Sequence, residues 1–244
     1  MTVQVVEVLR RSEQGMTRPF ICRGDDGEIY FVKGVGAGRR SQICEWVAGK
    51  LASVFGLPIA PFRLLDVPEE LIEADGGLTL SELGSGPAFG SQWHEAMELT
   101  VSAVLEIPDE IQQDVLAFDW WIQNGDRLLT ERGGNPNLFW NPASRELVVI
   151  DHNQAFDLDF DPNNFFDFHV FAHQRHDISG DMLKRHDYNR RFASALGAWP
   201  VIRAGIPDAW LFADPEMTVP VDFDLDMAYQ LLKRHERNDF WKTP

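Results

Sequence analysis

The chain has 244 residues, a formal net charge of −16, 44% hydrophobic residues and 25% charged residues, which is typical of a folded globular protein with a sizeable core. Its acidity disfavours binding to nucleic acids and to anionic membranes, so we expect neither as a partner. The two cysteines, Cys22 and Cys44, lack metal-ligand spacing, and the first residues do not resemble a signal peptide. These features predict a reduced, cytoplasmic protein.

The first part of the chain has the pattern of a β-rich domain. Alternating hydrophobic residues predict a strand over Thr2 to Leu9, and Phe20 to Arg23 with Ile29 to Lys33 predicts a hairpin. Ser41 is a candidate N-cap for a helix that extends to Phe55, and Phe62 to Val67 predicts a further strand.

The pattern after this strand changes towards helices. Leu78 to Leu80 predicts a short strand, and Gly84 to Ser91 predicts a loop of the kind that joins two lobes. Helical periodicity covers Glu95 to Thr100 and Pro108 to Gln123. The remaining predicted elements are a hairpin of Leu138 to Trp140 with Glu146 to Ile150, and helices from about Asn163 that end with Asp224 to Glu236.

This order of elements predicts an α+β protein with two lobes. The β-rich lobe covers residues 1–86, and the mostly helical lobe covers residues 87–244. The many aromatic residues after Asn163 are predicted to pack the core of the second lobe. His169 and His173 have the i, i+4 spacing of a metal pair, but no glutamate lies between them, so we expect surface or core histidines.

Three polar residues indicate a site for chemistry. Asp126 follows an apolar segment that ends in Asn-Gly, Asn137 directly precedes a predicted strand, and Asp151 ends the strand Val148 to Ile150. Kinase-type phosphoryl transfer uses an Asp that orients the hydroxyl nucleophile, an Asn ligand to Mg²⁺ and a later Asp that binds the metal. The alternative is that these residues only form turns and strand ends.

A second pair of residues strengthens this interpretation. Lys33 ends a predicted strand, and Glu45 lies on the predicted helix that follows. Kinases bind the nucleotide α- and β-phosphates with a strand lysine that pairs with a helix glutamate. Either residue alone is more typical of a solvated surface charge, but the pair precedes Asp126, Asn137 and Asp151 in the kinase order.

Taken together, these residues resemble the HipA-like kinases, bacterial relatives of a persistence-toxin kinase. The resemblance covers roughly residues 1 to 170. The matching segments are Arg18-Pro19-Phe20, Asp26 to Lys33, Glu45 to Ala48, Leu51-Ala52, Gly56-Leu57-Pro58, Pro87 to Ser91, Asn124 to Arg127, Asn135 to Leu138 and Ile150-Asp151-His152.

The resemblance implies a role for each of the five residues. Lys33 would contact the α- and β-phosphates, and Glu45 would hold Lys33 in place. Asp126 would be the catalytic base, Asn137 an amide ligand to Mg²⁺ and Asp151 the main metal-binding carboxylate.

The resemblance also implies where the rest of the nucleotide binds. The adenine would lie near Phe89 and the backbone of residues 83–86. The phosphates would be covered by Gln14 to Arg18, which includes Thr17 and Arg18, because no glycine-rich Gly-x-Gly-x-x-Gly loop precedes Lys33.

The sequence departs from a standard kinase at two further places. The segment between Asp126 and Asn137 is longer than a kinase catalytic loop, and only Arg127 or Arg132 offers a basic residue near the aspartate. His152-Asn153 follows Asp151 in place of Phe-Gly.

The resemblance implies an ATP- and Mg²⁺-dependent phosphotransferase that acts on a Ser or Thr hydroxyl of a protein. The alternatives are a catalytically inactive nucleotide-binding regulator and a small-molecule kinase. Because a regulator needs no base at Asp126, retention of all five residues favours an enzyme.

Overall fold

The computed structural model describes residues 2–13, 18–74, 80–94, 97–130 and 133–242. These residues form a mixed α/β protein with ten strands and eight α-helices. The chain divides into two compact units, each assembled from separate segments. The first unit comprises Met1–Trp46, Ala60–Glu95 and Gly205–Phe223, and the second comprises Val47–Ile59, Ala96–Ala204 and Asp224–Pro244.

The first unit is built on a five-stranded sheet that closes on itself in the order β1-β2-β3-β5-β4. Strands β1 and β4 pair in parallel, and the other neighbours are antiparallel. Its elements are β1 (Val3–Arg11), β2 (Phe20–Gly24), β3 (Ile29–Lys33), β4 (Phe62–Val67), β5 (Gly86–Gln92) and α2 (Glu69–Ala74), together with the start of α1 (Arg39–Phe55).

The interior of this sheet explains the alternating pattern of the sequence. Val5, Cys22, Val32 and Leu65 lie in one buried cluster, because alternate residues of a strand point to the same face. Burial raises the pKa of the Cys22 and Cys44 thiols to about 12. Both cysteines therefore remain protonated and pack as small hydrophobic residues.

Strands β1 to β4 confirm the sequence-based predictions, but two other predictions were wrong. Helix α1 begins at Arg39, so Ser41 lies inside the helix and is not its N-cap. The predicted loop at Gly84 to Ser91 is largely strand β5, which pairs with both β3 and β4. Its small residues serve close packing, since a Cβ at Gly90 would lie 2.4 Å from Leu65 Cδ1. Of the predicted strand at Leu78 to Leu80, residues 78 and 79 lie outside the described residues.

The second unit is mostly helical. Its strands form a three-stranded sheet in the order β10-β9-β6 and a separate hairpin of β7 and β8. Besides the end of α1, its elements are β6 (Met97–Glu98), α3 (Asp109–Ile122), β7 (Leu128–Thr130), β8 (Gly133–Asn135), β9 (Leu138–Asn141), β10 (Glu146–Val149), α4 (Pro162–Phe168), α5 (Arg175–Ser179), α6 (Met182–Gly197), α7 (Trp199–Ala204) and α8 (Leu225–Lys233).

Helix α3 is the centre of the second unit's core. The Trp121 ring stacks on Phe192 of α6 with 4.6 Å between centroids, and Phe118 packs on Phe55 at 5.3 Å. The predicted aromatic core is confirmed for Phe165, Phe166, Phe171 and Trp199, which are buried, whereas Phe168 is 46% exposed. Trp210 is also buried, but it belongs to the first unit and not to this core.

The helical prediction for Glu95 to Thr100 was wrong where the structure describes the segment. Met97–Glu98 forms the short strand β6, which pairs with β9, while residues 95 and 96 lie outside the described residues. The hairpin of β7 and β8 was not predicted. The predicted helix at Pro108 to Gln123 and the predicted hairpin of β9 and β10 are confirmed. None of the helices in the described ranges is long and apolar enough to cross a membrane.

Candidate active site

The predicted pairing of Lys33 with Glu45 is present in the first unit. Lys33 is the last residue of β3, and its Nζ donates to Glu45 Oε1 on α1. Lys33 is 8% exposed and Glu45 is 3% exposed. A charge buried to this degree is costly unless it is paired, so the ion pair allows the ammonium group to remain charged inside the unit. Gln42 Nε2 donates to the Lys33 carbonyl at 2.6 Å and joins the strand end to the helix.

The other residues predicted to contact the nucleotide differ in their surroundings. Arg18 is exposed, has a positive φ of 42° and accepts a hydrogen bond on its carbonyl from Arg11 Nε at 3.0 Å. Phe89 lies in β5, is 4% exposed and stacks on Phe62 with 5.4 Å between centroids. Thr17, with the rest of the segment 14–17, lies outside the described residues. The nucleotide contacts of Arg18, Thr17 and Phe89 stay predictions.

The second unit brings the other predicted residues together. Asn137 Nδ2 donates to Asp126 Oδ2 at 3.4 Å, and the Ile150 N–H donates to the Asn137 carbonyl at 3.1 Å. The second hydrogen bond places the residue before Asp151 beside Asn137. Asn135 accepts the Asn137 N–H on its side-chain oxygen at 3.3 Å, so Asn135 closes the turn that leads into Asn137.

The backbone at two of these residues adopts a left-handed conformation. Asn137 has a φ of 52° and Asp151 has a φ of 55°. Asparagine and aspartate tolerate this region better than other residues with a Cβ, and such positions are frequent in functional sites. Asp126 and Asp151 are both partly exposed.

A buried charge cluster lies directly behind this set. Arg127 Nε donates to Asp119 Oδ2 at 2.6 Å, and its Nη2 donates to Asp119 Oδ1 at 3.4 Å. Asn124 Nδ2 also donates to Asp119 Oδ1, at 2.9 Å. Burial opposes ionisation of Asp119, but Arg127 and His169 outweigh it and hold the pKa of this carboxyl well below its usual range. Because Arg127 is 0% exposed, it is not available to contact a substrate phosphate.

His169 completes the cluster as a neutral side chain. Burial lowers the pKa of His169 more than Asp119 raises it. The Phe171 N–H donates to His169 Nδ1 at 3.1 Å, so the ring proton resides on Nε2, which donates to Asp119 Oδ2 at 3.1 Å. His169 is therefore a core histidine, as one of the sequence interpretations expected, while His173 is exposed.

Sequence reasoning missed Asp119, Asn124 and the contribution of His169. The available signal was Asp119 itself, an acidic residue among the apolar residues of α3. A carboxylate in a buried helix face needs partners, since carboxylates are almost never fully buried alone. The partners of Asp119 are Asn124, Arg127 and His169, which lie 5, 8 and 50 positions further along the chain. Only the fold brings them together.

The donor set around Asp126 fits Mg²⁺ better than a transition metal. Asp151 offers carboxylate oxygens and Asn137 offers an amide oxygen, which are ligands that hard cations prefer. Within the described ranges, no group of three or more His, Cys, Asp or Glu side chains could hold a metal ion. Mg²⁺ accepts such a sparse site because it takes one or two protein carboxylates and completes its shell with phosphates and water.

Kinase-type phosphotransferases use a strand lysine that pairs with a helix glutamate, followed in the chain by an Asp, an Asn and a second Asp. This chain has the same residue types in the same order. The family model of the HipA-like kinases matches residues 5–244, and the chain belongs to this family. Among solved structures, the chain is similar to the proinflammatory kinase CtkA of Helicobacter pylori, with 11% identity over 97% of this chain and 94% of that chain and a TM-score of 0.47. No curated protein matches the sequence.

Proposed function

We propose that this HipA-like kinase transfers the γ-phosphoryl group of ATP, in a Mg²⁺-dependent reaction, to a Ser or Thr hydroxyl of a protein. The observation that carries the proposal is the contact of Asn137 with Asp126, together with the hydrogen bond from Ile150 to Asn137. These contacts bring Asp126, Asn137 and the residue before Asp151 together, which supports the proposed roles of a base and two metal ligands in phosphoryl transfer.

In this proposal each side chain has one task. Asp126 orients the acceptor hydroxyl and takes its proton as the hydroxyl oxygen bonds to the γ-phosphorus. The bond from the γ-phosphorus to the bridging oxygen breaks at the same time, and ADP leaves. Lys33 binds the α- and β-phosphates and is held by Glu45. Asn137 and Asp151 would hold Mg²⁺, which would neutralise negative charge on the phosphates.

The proposal extends to the rest of the nucleotide site. A two-lobed kinase arrangement would place the adenine near Phe89 and the phosphates beneath the segment that includes Thr17 and Arg18. An inactive nucleotide-binding regulator would need Lys33 and Asp151 but would have no use for a carboxylate at Asp126. Transfer of radiolabel from ATP to proteins or to small alcohols distinguishes a protein kinase from a small-molecule kinase.

The test measures ATP binding by calorimetry with and without Mg²⁺, and phosphoryl transfer from radiolabelled ATP. We expect Lys33→Ala and Asp151→Ala to weaken Mg²⁺-dependent binding at least tenfold. We expect Asp126→Asn to bind ATP normally but to lose transfer, because it retains the shape of the side chain without the base. Asp177→Ala removes an exposed carboxylate of α5 in the same unit and serves as the matched control.

The outcomes separate the alternatives. Loss of ATP binding in a folded Asp126→Asn variant would contradict the base role. Metal-dependent ATP binding by the wild type without transfer to itself, to proteins or to small alcohols would favour the regulator. Absence of ATP binding by the folded wild type would overturn the proposal.

A further inference from the structure

Arg127 donates to backbone carbonyls on both segments that carry the metal-binding side chains. Its Nη1 lies 3.0 Å from the Pro136 oxygen, 3.0 Å from the Asn137 oxygen and 3.3 Å from the Ile150 oxygen. Its own carbonyl accepts the Val170 N–H at 3.0 Å. One guanidinium group therefore joins the loop before β9 to the end of β10.

Two of these carbonyls lie in the backbone of the candidate metal site. One carbonyl belongs to Asn137 itself, and another belongs to Ile150, the residue before Asp151. Asp126 is bonded directly to Arg127 through the peptide link. The backbone of Asp126, Asn137 and Asp151 is thus fixed to one side chain that does not reach solvent.

We propose that Arg127 is the positioning residue of the site, which sets the relative placement of Asp126, Asn137 and Asp151 while making no contact with substrate. This inference rests on the proposed function for its catalytic consequence, but the positioning itself concerns only residues of this chain. Asp119 is the fixed support for the guanidinium, because Asn124 and His169 hold the same carboxylate from other directions.

The geometry requires arginine rather than lysine at this position. Five contacts converge on the planar group, two from Asp119 and three from carbonyls. A guanidinium presents its donors in a fixed fork, whereas an ammonium group concentrates three donors at one point. Lysine at position 127 can keep the charge beside Asp119 but cannot reach both the carboxylate and the carbonyls.

The experiment compares Arg127→Lys with Arg191→Lys. Arg191 is a matched control in the same unit, since it forms a two-point ion pair with Asp114 and donates to the Phe55 carbonyl at 3.0 Å. Hydrogen exchange is measured by mass spectrometry without ligand. In Arg127→Lys we expect faster exchange at the Ile150 and Val170 amides, and we expect Arg191→Lys to leave both amides protected.

A second readout uses the apparent affinity for Mg²⁺ during ATP binding and transfer. Partners that orient metal ligands typically contribute about 10- to 100-fold to metal affinity or activity. We expect a loss of this size in kcat and Mg²⁺ affinity for Arg127→Lys, with the KM for ATP changed much less. Arg191→Lys should retain the wild-type kcat even where its thermal stability falls.

A double variant keeps the test decisive where Arg127→Lys does not fold. Asp119→Asn with Arg127→Met removes both charges of the buried pair together, and the asparagine keeps an amide oxygen that can accept from Asn124 or His169. A folded double variant with rapid exchange at Ile150 and weakened Mg²⁺ dependence would support positioning.

The two proposals fail in different ways. Normal exchange at Ile150 and Val170 in folded Arg127→Lys, with wild-type Mg²⁺ dependence, would overturn the positioning role. Faster exchange at these amides in Arg127→Lys would support the positioning role even if the wild type does not bind ATP. The absence of ATP binding would then contradict only the phosphotransfer function.

Discussion

At the scale of single residues, the carboxylate of Asp119 is held by three other side chains. It is 1% exposed, and Arg127, Asn124 and His169 all donate to it. Burial alone would favour its neutral form, but a nearby cation and hydrogen bonds stabilise the anion. The opposite balance holds for His169, where burial lowers the pKa and keeps the imidazole neutral.

These two shifts predict how stability depends on pH. The folded protein excludes a proton from His169 below about pH 6.5 and from Asp119 below about pH 3.9, the ordinary pKa values of these side chains. The unfolded chain binds those protons, so the free energy of unfolding decreases as the pH falls through each value. One proton accounts for about 1.4 kcal/mol per pH unit. Urea unfolding from pH 8 to about pH 2.5 covers both ranges.

The variant His169→Gln isolates the first slope. Glutamine can donate to Asp119 and accept from Phe171 but does not titrate, so we expect a flatter stability profile between pH 6.5 and pH 5. The control His186→Gln removes an exposed histidine of α6 that lies outside the Asp119 cluster, and we expect the wild-type profile. A profile of His169→Gln that matches the wild type would show that another group titrates in this range.

At the scale of elements, the hairpin of β7 and β8 occupies the extra length between Asp126 and Asn137. Leu128 forms an isolated β-bridge with His169, which ties the base of the hairpin to the buried cluster. Gly134 has a φ of 153°, and a Cβ there would lie 2.4 Å from the Leu128 oxygen. The close pairing of these two short strands therefore depends on glycine at this position.

We predict that Gly134→Ala disrupts the hairpin and lowers stability by more than Gly133→Ala, because both variants carry the cost of a strained backbone, about 1–3 kcal/mol, and only Gly134→Ala adds the close contact with the Leu128 oxygen. Gly133→Ala shares a positive φ, of 110°, but its Cβ would have no neighbour within 4 Å, so it is the matched control. Thermal unfolding and hydrogen exchange at the Leu128 amide measure the difference. Equal destabilisation by the two variants would mean that backbone conformation alone, and not the Leu128 contact, explains the effect.

At the scale of the whole molecule, both units are assembled from segments that are distant in sequence. The first unit needs β5, which pairs with β3 and β4, and it includes the segment Gly205–Phe223. Trp210 from that segment is fully buried, and its Nε1 donates to the Pro87 carbonyl at 2.9 Å. The β-rich unit is therefore not encoded by the first part of the chain alone.

This assembly predicts the behaviour of a fragment of residues 1–86. The fragment lacks all but the first residue of β5, so the edges of β3 and β4 remain unpaired and the sheet cannot close. We expect it to show no cooperative thermal transition by circular dichroism, in contrast to the full chain. A sharp transition in the isolated fragment would show that four strands suffice for a stable unit.

The sequence by itself determined the local elements and the types of the site residues. Hydrophobic alternation located β1, short runs beside turn residues located β2 to β4, and helical periodicity located α3, because these signals come from residues close together in the chain. The pairing of Lys33 with Glu45 was also predictable, since a strand and the next helix are neighbours. The resemblance to the HipA-like kinases rested on the order of the site residues, and the family model that matches residues 5–244 confirms it.

Only the tertiary structure decided which residues support the site. β5 resembles a loop in sequence because its glycine, serine and proline residues are typical of turns, and strand pairing on both sides overrides that preference. Arg127 was one of two candidates for a basic residue near the catalytic aspartate, but it is buried and donates to Asp119 and to three carbonyls. Such contacts join residues far apart in the chain, and no local pattern specifies them.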